Sequence, residues 1–116
     1  MPSAAHSIPI TLQASDEAEL TRLLDLSTRP TAGTTTDLAS GVELRVDDAM
    51  QSRGFAGSEI VVQGVITVLT TVAAELLITW LKTRIEPRRN EVTVIIRDEV
   101  VRDFSESGLR SLLGIK

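Results

Sequence analysis

The sequence predicts one α+β domain, residues 1–116, in which a small sheet of three or four strands packs against helices. Three short segments alternate apolar and polar residues with a period of two, which is typical of half-buried strands. Leucines in the first half recur at spacings of three and four, which is typical of an amphipathic helix. A long apolar run is interpreted as a second, longer helix packed on one face of the sheet. The predicted order is β-α-β-α-β-β, a two-layer arrangement.

The first strand is predicted over residues 8–13, after an N-terminus at residues 1–7 that we expect to fray. Pro9 has no N–H to donate, so this strand is expected at a sheet edge or to start there. The first helix is predicted over residues 15–27, because Ser15 is a suitable N-cap for its first turn. Its apolar side consists of Leu20, Leu23 and Leu24.

A long loop and a second strand follow the first helix. Residues 28–41 contain Pro30 and repeated threonine and glycine, which is typical of a loop. Residues 42–47 alternate cleanly and are predicted to form a strand. Its inward side chains are expected to be Val42, Leu44 and Val46.

Residues 58–85 are predicted to form one long helix that ends at Glu86-Pro87. The alanine, glutamate and leucine content of its second half favours helix. Residues 60–66 are rich in β-branched side chains, so a strand is the alternative interpretation there.

A membrane-spanning helix is the other alternative for residues 58–85, since about 20 apolar residues cross a bilayer. Polar residues, however, recur every three or four positions, and Glu75 would be costly in hydrocarbon. We therefore expect a buried helix whose uncovered apolar side meets a second copy of the chain. The predicted interface residues are Val65, Ile66, Leu69, Val72, Leu76 and Trp80.

The C-terminal third supplies the last elements. Residues 91–97 alternate as a third strand, with Val92, Val94 and Ile96 on one face. Asp98-Glu99 is interpreted as a turn, and residues 100–104 as a short fourth strand. Residues 109–113 suit a final helical turn.

Composition narrows the classes of function. The net charge is −4 and aromatic residues make up 3% of the chain, which argues against nucleic-acid binding. The absence of cysteine excludes a disulfide scaffold and a thiolate metal site, and it favours a reducing, cytoplasmic setting. The N-terminal residues lack the basic and apolar regions of a secretory signal.

Candidate reactive groups are few. His6 is interpreted as a surface residue without partners. The pairs Asp47-Asp48 and Asp98-Glu99 are interpreted as solvated turns, because adjacent strand residues point to opposite faces. Residues 54–58 place two glycines before the predicted long helix, where an anion would find backbone N–H groups, but their spacing fits no phosphate-binding motif. The sequence therefore predicts no catalytic residue, cofactor or metal.

The basic residues Lys82, Arg84, Arg88 and Arg89 form a cluster after the long helix. Cations there stabilise the negative end of the helix dipole. The same cluster would suit an acidic partner or a membrane surface. Trp80 is interpreted as a core residue, with an interface anchor as the alternative.

The segment Ile78-Thr79-Trp80-Leu81-Lys82-Thr83-Arg84, followed by a valine-rich strand, resembles the effector-associated constant component family of bacterial conflict systems. In that family an apolar helix closes with a Trp-Leu-basic signature just before such a strand. The resemblance covers residues 8–104. It implies a non-enzymatic adaptor or scaffold that acts beside an effector such as a peptidase, and no catalytic residues carry over.

The resulting prediction is an interaction module that self-associates through helix 58–85. A membrane-associated or pore-forming component that uses the same helix is the alternative. A small enzyme or ligand binder that uses residues 54–58 is the third hypothesis.

Overall fold

Six antiparallel strands form one sheet in the computed structural model of the chain, and three helices pack on one face of it. The structure describes residues 6–15, 17–26, 30–54 and 57–114. The predicted α+β class is confirmed, whereas the predicted three or four strands and single long helix are wrong. The elements in chain order are β1 (His6–Ala14), α1 (Glu17–Leu23), β2 (Thr35–Ala39), β3 (Val42–Gly54), β4 (Gly57–Val68), α2 (Thr71–Trp80), β5 (Val92–Ile96), β6 (Glu99–Val100) and α3 (Glu106–Leu113).

The strands lie in the order β2-β3-β4-β1-β5-β6. Residues that face each other across the sheet share a side, so alternation along each strand builds a continuous inner face. In β1, for example, Ile10 lies between Gly64 of β4 and Ile96 of β5. Each fully buried aliphatic side chain on this face contributes roughly 1.5–3 kcal/mol to stability. The inner face includes Ile8, Ile10, Leu12, Val42, Leu44, Val46, Val62, Ile66, Val92, Val94 and Ile96.

The predicted helix over residues 58–85 is wrong in its first half. Residues 57–68 form β4, which pairs with β3 along one edge and with β1 along the other. Its side chains alternate, with Ile60, Val62, Ile66 and Val68 buried. β-Branched residues fit a pleated, half-buried surface better than a helix, and here two neighbouring strands satisfy the backbone. The helix begins only at Thr71.

β1 is a central strand, so the predicted edge position for Pro9 is wrong. The backbone carbonyl of Pro9 accepts a hydrogen bond from Arg97 N (3.2 Å), so the proline nitrogen faces the end of β5. Pro9 therefore lacks a hydrogen-bond donor only at the point where β5 ends and the turn at Arg97 begins. His6 and Ser7 belong to β1, in contrast to the predicted fraying of residues 1–7; residues 1–5 lie outside the described residues.

Several boundaries also differ from the prediction. The predicted loop at residues 28–41 contains β2, and the strand predicted at residues 42–47 continues to Gly54. The predicted fourth strand at residues 100–104 is limited to Glu99–Val100, because the turn falls at Arg97 and Asp98, one residue earlier than predicted. Both turn residues have positive φ, as a two-residue type I′ hairpin requires.

α2 continues beyond Trp80 through a wider, π-helical turn. Its N-terminus is capped by the Thr70 hydroxyl, which accepts a hydrogen bond from Ala73 N (3.0 Å). The π-helical turn covers Leu81–Ile85, and Glu86 N donates to the Leu81 carbonyl. Because this wider turn contains five residues, Ile85 lies on the same side of the helix as Leu77 and Leu81. All three side chains are fully buried.

A β-bulge in β3 makes Gly64 essential. The register between β3 and β4 shifts between Val46 and Asp48, so Asp47 has no opposite residue. At this point the backbone of β3 approaches β4 closely. A Cβ atom on Gly64 would meet the carbonyl oxygen of Arg45 far inside van der Waals distance.

We expect Gly64→Ala to destabilise the protein by about 1–3 kcal/mol, since the added methyl group forces two backbones apart. Urea unfolding followed by circular dichroism measures the loss. Thr67→Ala, on the outer face of the same strand, is the control and should cost less than about 1 kcal/mol. A Gly64→Ala midpoint equal to that of the wild type would contradict this close approach.

Candidate functional site

The six predicted interface residues fall into three places. Ile66 and Trp80 are buried in the core, at 0% and 6% exposure, so the structure does not present them to a partner. Val65 is half-buried on the outer face of the sheet. Of the remaining three, Val72 and Leu76 lie on the outward side of α2, and Leu69 lies just before the helix N-cap Thr70. Leu69 and Val72 are exposed, and Leu76 is half-buried.

α2 turns one side toward the sheet and leaves the other uncovered. Its buried side consists of Ala73, Ala74, Leu77, Ile78 and Trp80. On the uncovered side, Leu69 is 52% exposed and Val72 is 70% exposed. These are unusually open positions for two aliphatic side chains that lie three residues apart at the start of a helix.

The exposed apolar side continues as a line that we call the α2 seam. Its threonine hydroxyls are satisfied within the helix, because Thr79 Oγ1 donates to the Glu75 carbonyl (3.1 Å) and Thr83 Oγ1 to the Thr79 carbonyl (2.8 Å). Both hydroxyl groups therefore already donate within the helix. Successive members are three or four residues apart, the spacing of a helix–helix contact line. The α2 seam consists of Leu69, which precedes the N-cap Thr70, of Val72, half-buried Leu76 and Thr79 on α2, and of Thr83 in the π-helical turn.

Charged side chains border the α2 seam. Glu75 forms an ion pair with Arg110 of α3, and Arg110 also lies 3.5 Å (Nε to Oε2) from Glu106. The hydrogen bond that Arg110 donates to the Glu75 carboxylate is the main cause that raises the pKa of Arg110. Lys82 is exposed one helical heptad beyond Glu75. The border of the seam thus carries an acidic group near its start and a basic group near its end.

Of the four residues in the predicted basic cluster, two extend into solvent and two form hydrogen bonds near the end of the helix. Arg88 donates to the Arg84 carbonyl (3.1 Å), and Arg89 donates to the Glu86 carbonyl (3.2 Å). The Glu86 carbonyl also accepts from the backbone N of Arg89 (3.2 Å), so both guanidinium groups add hydrogen bonds to carbonyls near the C-terminal end of the helix. Lys82 and the side chain of Arg84 remain exposed.

Two shallow, open grooves flank β6. The larger, of about 480 Å³, lies between the 97–103 segment and α3; the smaller, of about 240 Å³, lies against β5. Charges of both signs line the larger groove, including Arg97, Arg102, Glu99 and Asp103. Among the described residues, no three histidine or carboxylate side chains are placed to hold a metal ion.

The other candidate groups lie apart from one another. Gly54 and Gly57 face each other at the end of the β3–β4 hairpin, so they do not precede a helix as predicted. Phe55 and Ala56 lie outside the described residues. His6 is exposed at the start of β1, and Asp47 forms an ion pair with Arg45 (3.0 Å) at the bulge.

The predicted pore-forming alternative required an unbroken helix over residues 58–85. The structure divides this segment between β4 and α2 at Leu69 and Thr70. Within the described part of the chain, no helix combines the length and the apolar character that crossing a bilayer requires.

Asp103 organises the start of α3. Its Oδ1 accepts a hydrogen bond from Ser105 N (2.9 Å), while Ser105 Oγ caps the helix by accepting from Gly108 N (3.2 Å). The backbone hydrogen bond from Ser105 is the main cause that lowers the pKa of Asp103, and the Ser105 hydroxyl adds to it. The turn that Asp103 forms with Ser105 lies at one side of the larger groove.

We expect Asp103→Asn to be less stable than the wild type at neutral pH, because the amide replaces a charged acceptor. Because folding lowers the pKa of Asp103, its ionised carboxylate stabilises the fold at pH values above the ordinary pKa of 3.8. This contribution is lost as the pH falls through the pKa of the folded state. The difference in denaturant midpoint between the wild type and Asp103→Asn should therefore disappear in acid. Ser105→Ala, which keeps the main donor, should retain part of the pH dependence. A gap that stays constant from pH 7 down to acid would contradict this assignment.

Comparisons with known proteins complete the description of the site. Searches against protein-family models, curated proteins and solved structures each give no match. What the chain does must therefore be inferred from its own geometry, in which the α2 seam is the exposed feature that departs most from an ordinary polar surface.

Proposed function

We propose that the chain is a non-enzymatic interaction module that associates with a second copy of itself through α2. The α2 seam is the observation that carries this proposal. Clustered apolar side chains with such exposure mark interaction sites on folded proteins, whereas single ones are ordinary. The proposal keeps the expected self-association but confines it to the helix that begins at Thr71.

The spacing of the α2 seam suits contact with another α-helix. Steps of three and four residues keep the seam on one side of the helix, where its members act as knobs between the side chains of a facing helix. The helical part of the seam, from Val72 to Thr83, spans about 17 Å, since an α-helix rises about 1.5 Å per residue. A contact of that length is at the lower end of specific interfaces, so a weak, concentration-dependent dimer is expected.

The charges beside the seam favour a second copy in an antiparallel orientation. Two antiparallel α2 helices related by a two-fold axis would place Glu75 of each copy near Lys82 of the other. A parallel arrangement would place like charges opposite each other, which is unfavourable. Glu75 can accept this second cation while bound to Arg110, because a carboxylate accepts several hydrogen bonds.

An adaptor role beside an effector such as a peptidase extends the proposal. It rests on the resemblance of the segment from Trp80 to Arg84 to the effector-associated constant component family. In the structure Trp80 and Leu81 belong to the core, while Lys82, Thr83 and Arg84 are exposed. The exposed half of this signature is therefore accessible to a partner protein. We place this role in the cytoplasm, since a chain without cysteine suits a reducing compartment.

We expect Val72→Glu to weaken self-association at least tenfold, because it places a charge in the centre of an apolar contact. Light scattering coupled to size-exclusion chromatography, from about 10 to about 500 µM, measures the mass of each protein. Val72 is so exposed that the fold should tolerate the change, which circular dichroism checks.

Ala32→Glu is the matched control for Val72→Glu, since Ala32 is exposed in a turn outside the seam. It should associate like the wild type. A wild-type protein that stays monomeric at the highest concentration, or a Val72→Glu variant that associates equally well, would overturn the proposal.

The orientation of the dimer can be tested with Lys82→Gln. In the antiparallel arrangement this substitution removes an attraction to Glu75 and should raise the dissociation constant a few-fold. In a parallel arrangement it would relieve a repulsion between two lysines and strengthen association. Tighter binding by Lys82→Gln would therefore contradict the antiparallel arrangement.

A further inference from the structure

The smaller groove beside β6 lies where the sheet opens. Glu99 and Val100 of β6 pair with β5, and Val101 N donates to the Val94 carbonyl (2.8 Å). Beyond Val101, no hydrogen bond joins the described residues 102–104 to β5. The groove of about 240 Å³ is lined from both sides of this opening, by residues 89, 90 and 92–94 on one side and by residues 100–102 and 104 on the other.

The backbone of Val92 faces this opening. Alternate residues of a strand direct their N–H and C=O groups to opposite edges of the strand. Because Val94 accepts its hydrogen bond from Val101, Val92, which lies two residues earlier in β5, directs its own N–H and C=O groups to the same edge. Val92 is 2% exposed, and neither group has a hydrogen-bond partner among the described residues. Buried backbone groups are nearly always paired, so this N–H is a donor available to a polar group that enters the groove.

The polar side chains of the smaller groove are basic or neutral. They are Arg89, Asn90, Thr93 and Arg102, and no carboxylate of the described residues lines this groove. Arg102 forms no hydrogen bond or ion pair within the described part of the chain. Arg89 donates to the Glu86 carbonyl through one nitrogen, which leaves the other N–H groups of its guanidinium for a ligand.

The larger groove does not share this charge. Glu99 and Asp103 line it beside Arg97 and Arg102. An anion bound there would lie close to like charges, which is unfavourable. The smaller groove is therefore the one whose charge favours an anion.

The remaining lining of the smaller groove is apolar. A carboxylate fits the planar donors of arginine and can accept two parallel hydrogen bonds from them. Inorganic phosphate would make similar contacts but would leave the apolar lining in water, whereas a short hydrocarbon chain would cover part of it. The buried apolar residues in the lining are Val92, Val94, Val101 and Phe104.

We propose that the smaller groove binds an organic carboxylate. Arg89 and Arg102 hold the carboxylate, the Val92 N–H donates to it, and the apolar chain of the ligand packs on Val101 and Phe104. Such a carboxylate belongs either to a small free acid or to the C-terminus of a peptide. The site shares no residue with the α2 seam, so it does not depend on the proposed self-association.

NMR titration tests this site, because the groove is shallow and a dissociation constant of about 1 mM is expected. Isocaproate added to ¹⁵N-labelled protein, at an ionic strength held constant with sodium chloride, should shift the Val92 amide resonance in a saturable way. N-acetylleucine, titrated in the same way, represents the C-terminus of a peptide. Saturable binding of either acid supports the site, and the tighter binder identifies the source of the carboxylate.

Arg102→Gln should weaken isocaproate binding roughly tenfold, since it removes a charge-assisted hydrogen bond. Arg22→Gln is the matched control, because it removes the same charge from an exposed residue of α1 and should bind like the wild type. Isocaproamide, which has the same chain without the charge, should leave the Val92 amide resonance in place. The amide spectrum of each variant shows that it is folded.

The proposal is overturned if isocaproate and N-acetylleucine both leave the Val92 amide resonance unchanged up to about 20 mM. It is also overturned if Arg102→Gln binds isocaproate as tightly as Arg22→Gln does, because the Arg102 guanidinium would then take no part. Isocaproamide binding equal to that of isocaproate would contradict recognition of the charge. Inorganic phosphate binding as tightly as isocaproate would contradict the assignment of an organic acid.

Discussion

Hydrogen bonding along both edges of β4 is the constraint on which the rest of the structure depends. β3 occupies one edge and β1 the other, so the strand is fixed in register over its shared length. The bulge at Asp47 and the absence of a side chain at Gly64 allow β3 to approach closely enough for this pairing. Once β4 is held in this way, every second residue faces the helices, and the remaining residues face outward on a single surface.

The pairing of β4 also decides where α2 can begin. The strand ends at Val68, Leu69 N donates to the Gly41 carbonyl (3.0 Å), and Thr70 caps the helix. Gly41 lies against Ala73, so the start of α2 is held under the β2–β3 turn. Five of its residues then fill the core, and the π-helical turn carries Ile85 into the same layer. The part of α2 outside the core carries the apolar residues of the seam, so the proposed association would use a different side of the helix from the one that folding buries.

The two exposed surfaces of the molecule, on the helices and on the sheet, arise from the two-layer architecture. A sheet covered on one face always leaves the other face to solvent or to a partner. Here the central strands carry uncharged outward side chains, while the charged residues gather on β3 and at the strand ends. The helical layer has a similar distribution, with an apolar line bordered by Glu75 and Lys82.

The sequence by itself determined the α+β class and the inward residues of the strands, because a period of two assigns side chains to faces whatever the strand order. It also singled out Leu69, Val72 and Leu76, which the structure places just before and on α2. It could not separate β4 from α2, since residues 60–68 are apolar in both interpretations and only pairing with distant strands favours the extended form. The central position of β1 despite Pro9, the burial of Ile66 and Trp80, and the opposite placement of the two exposed surfaces were decided by tertiary structure. Each depends on hydrogen bonds or packing between segments that are far apart in the chain.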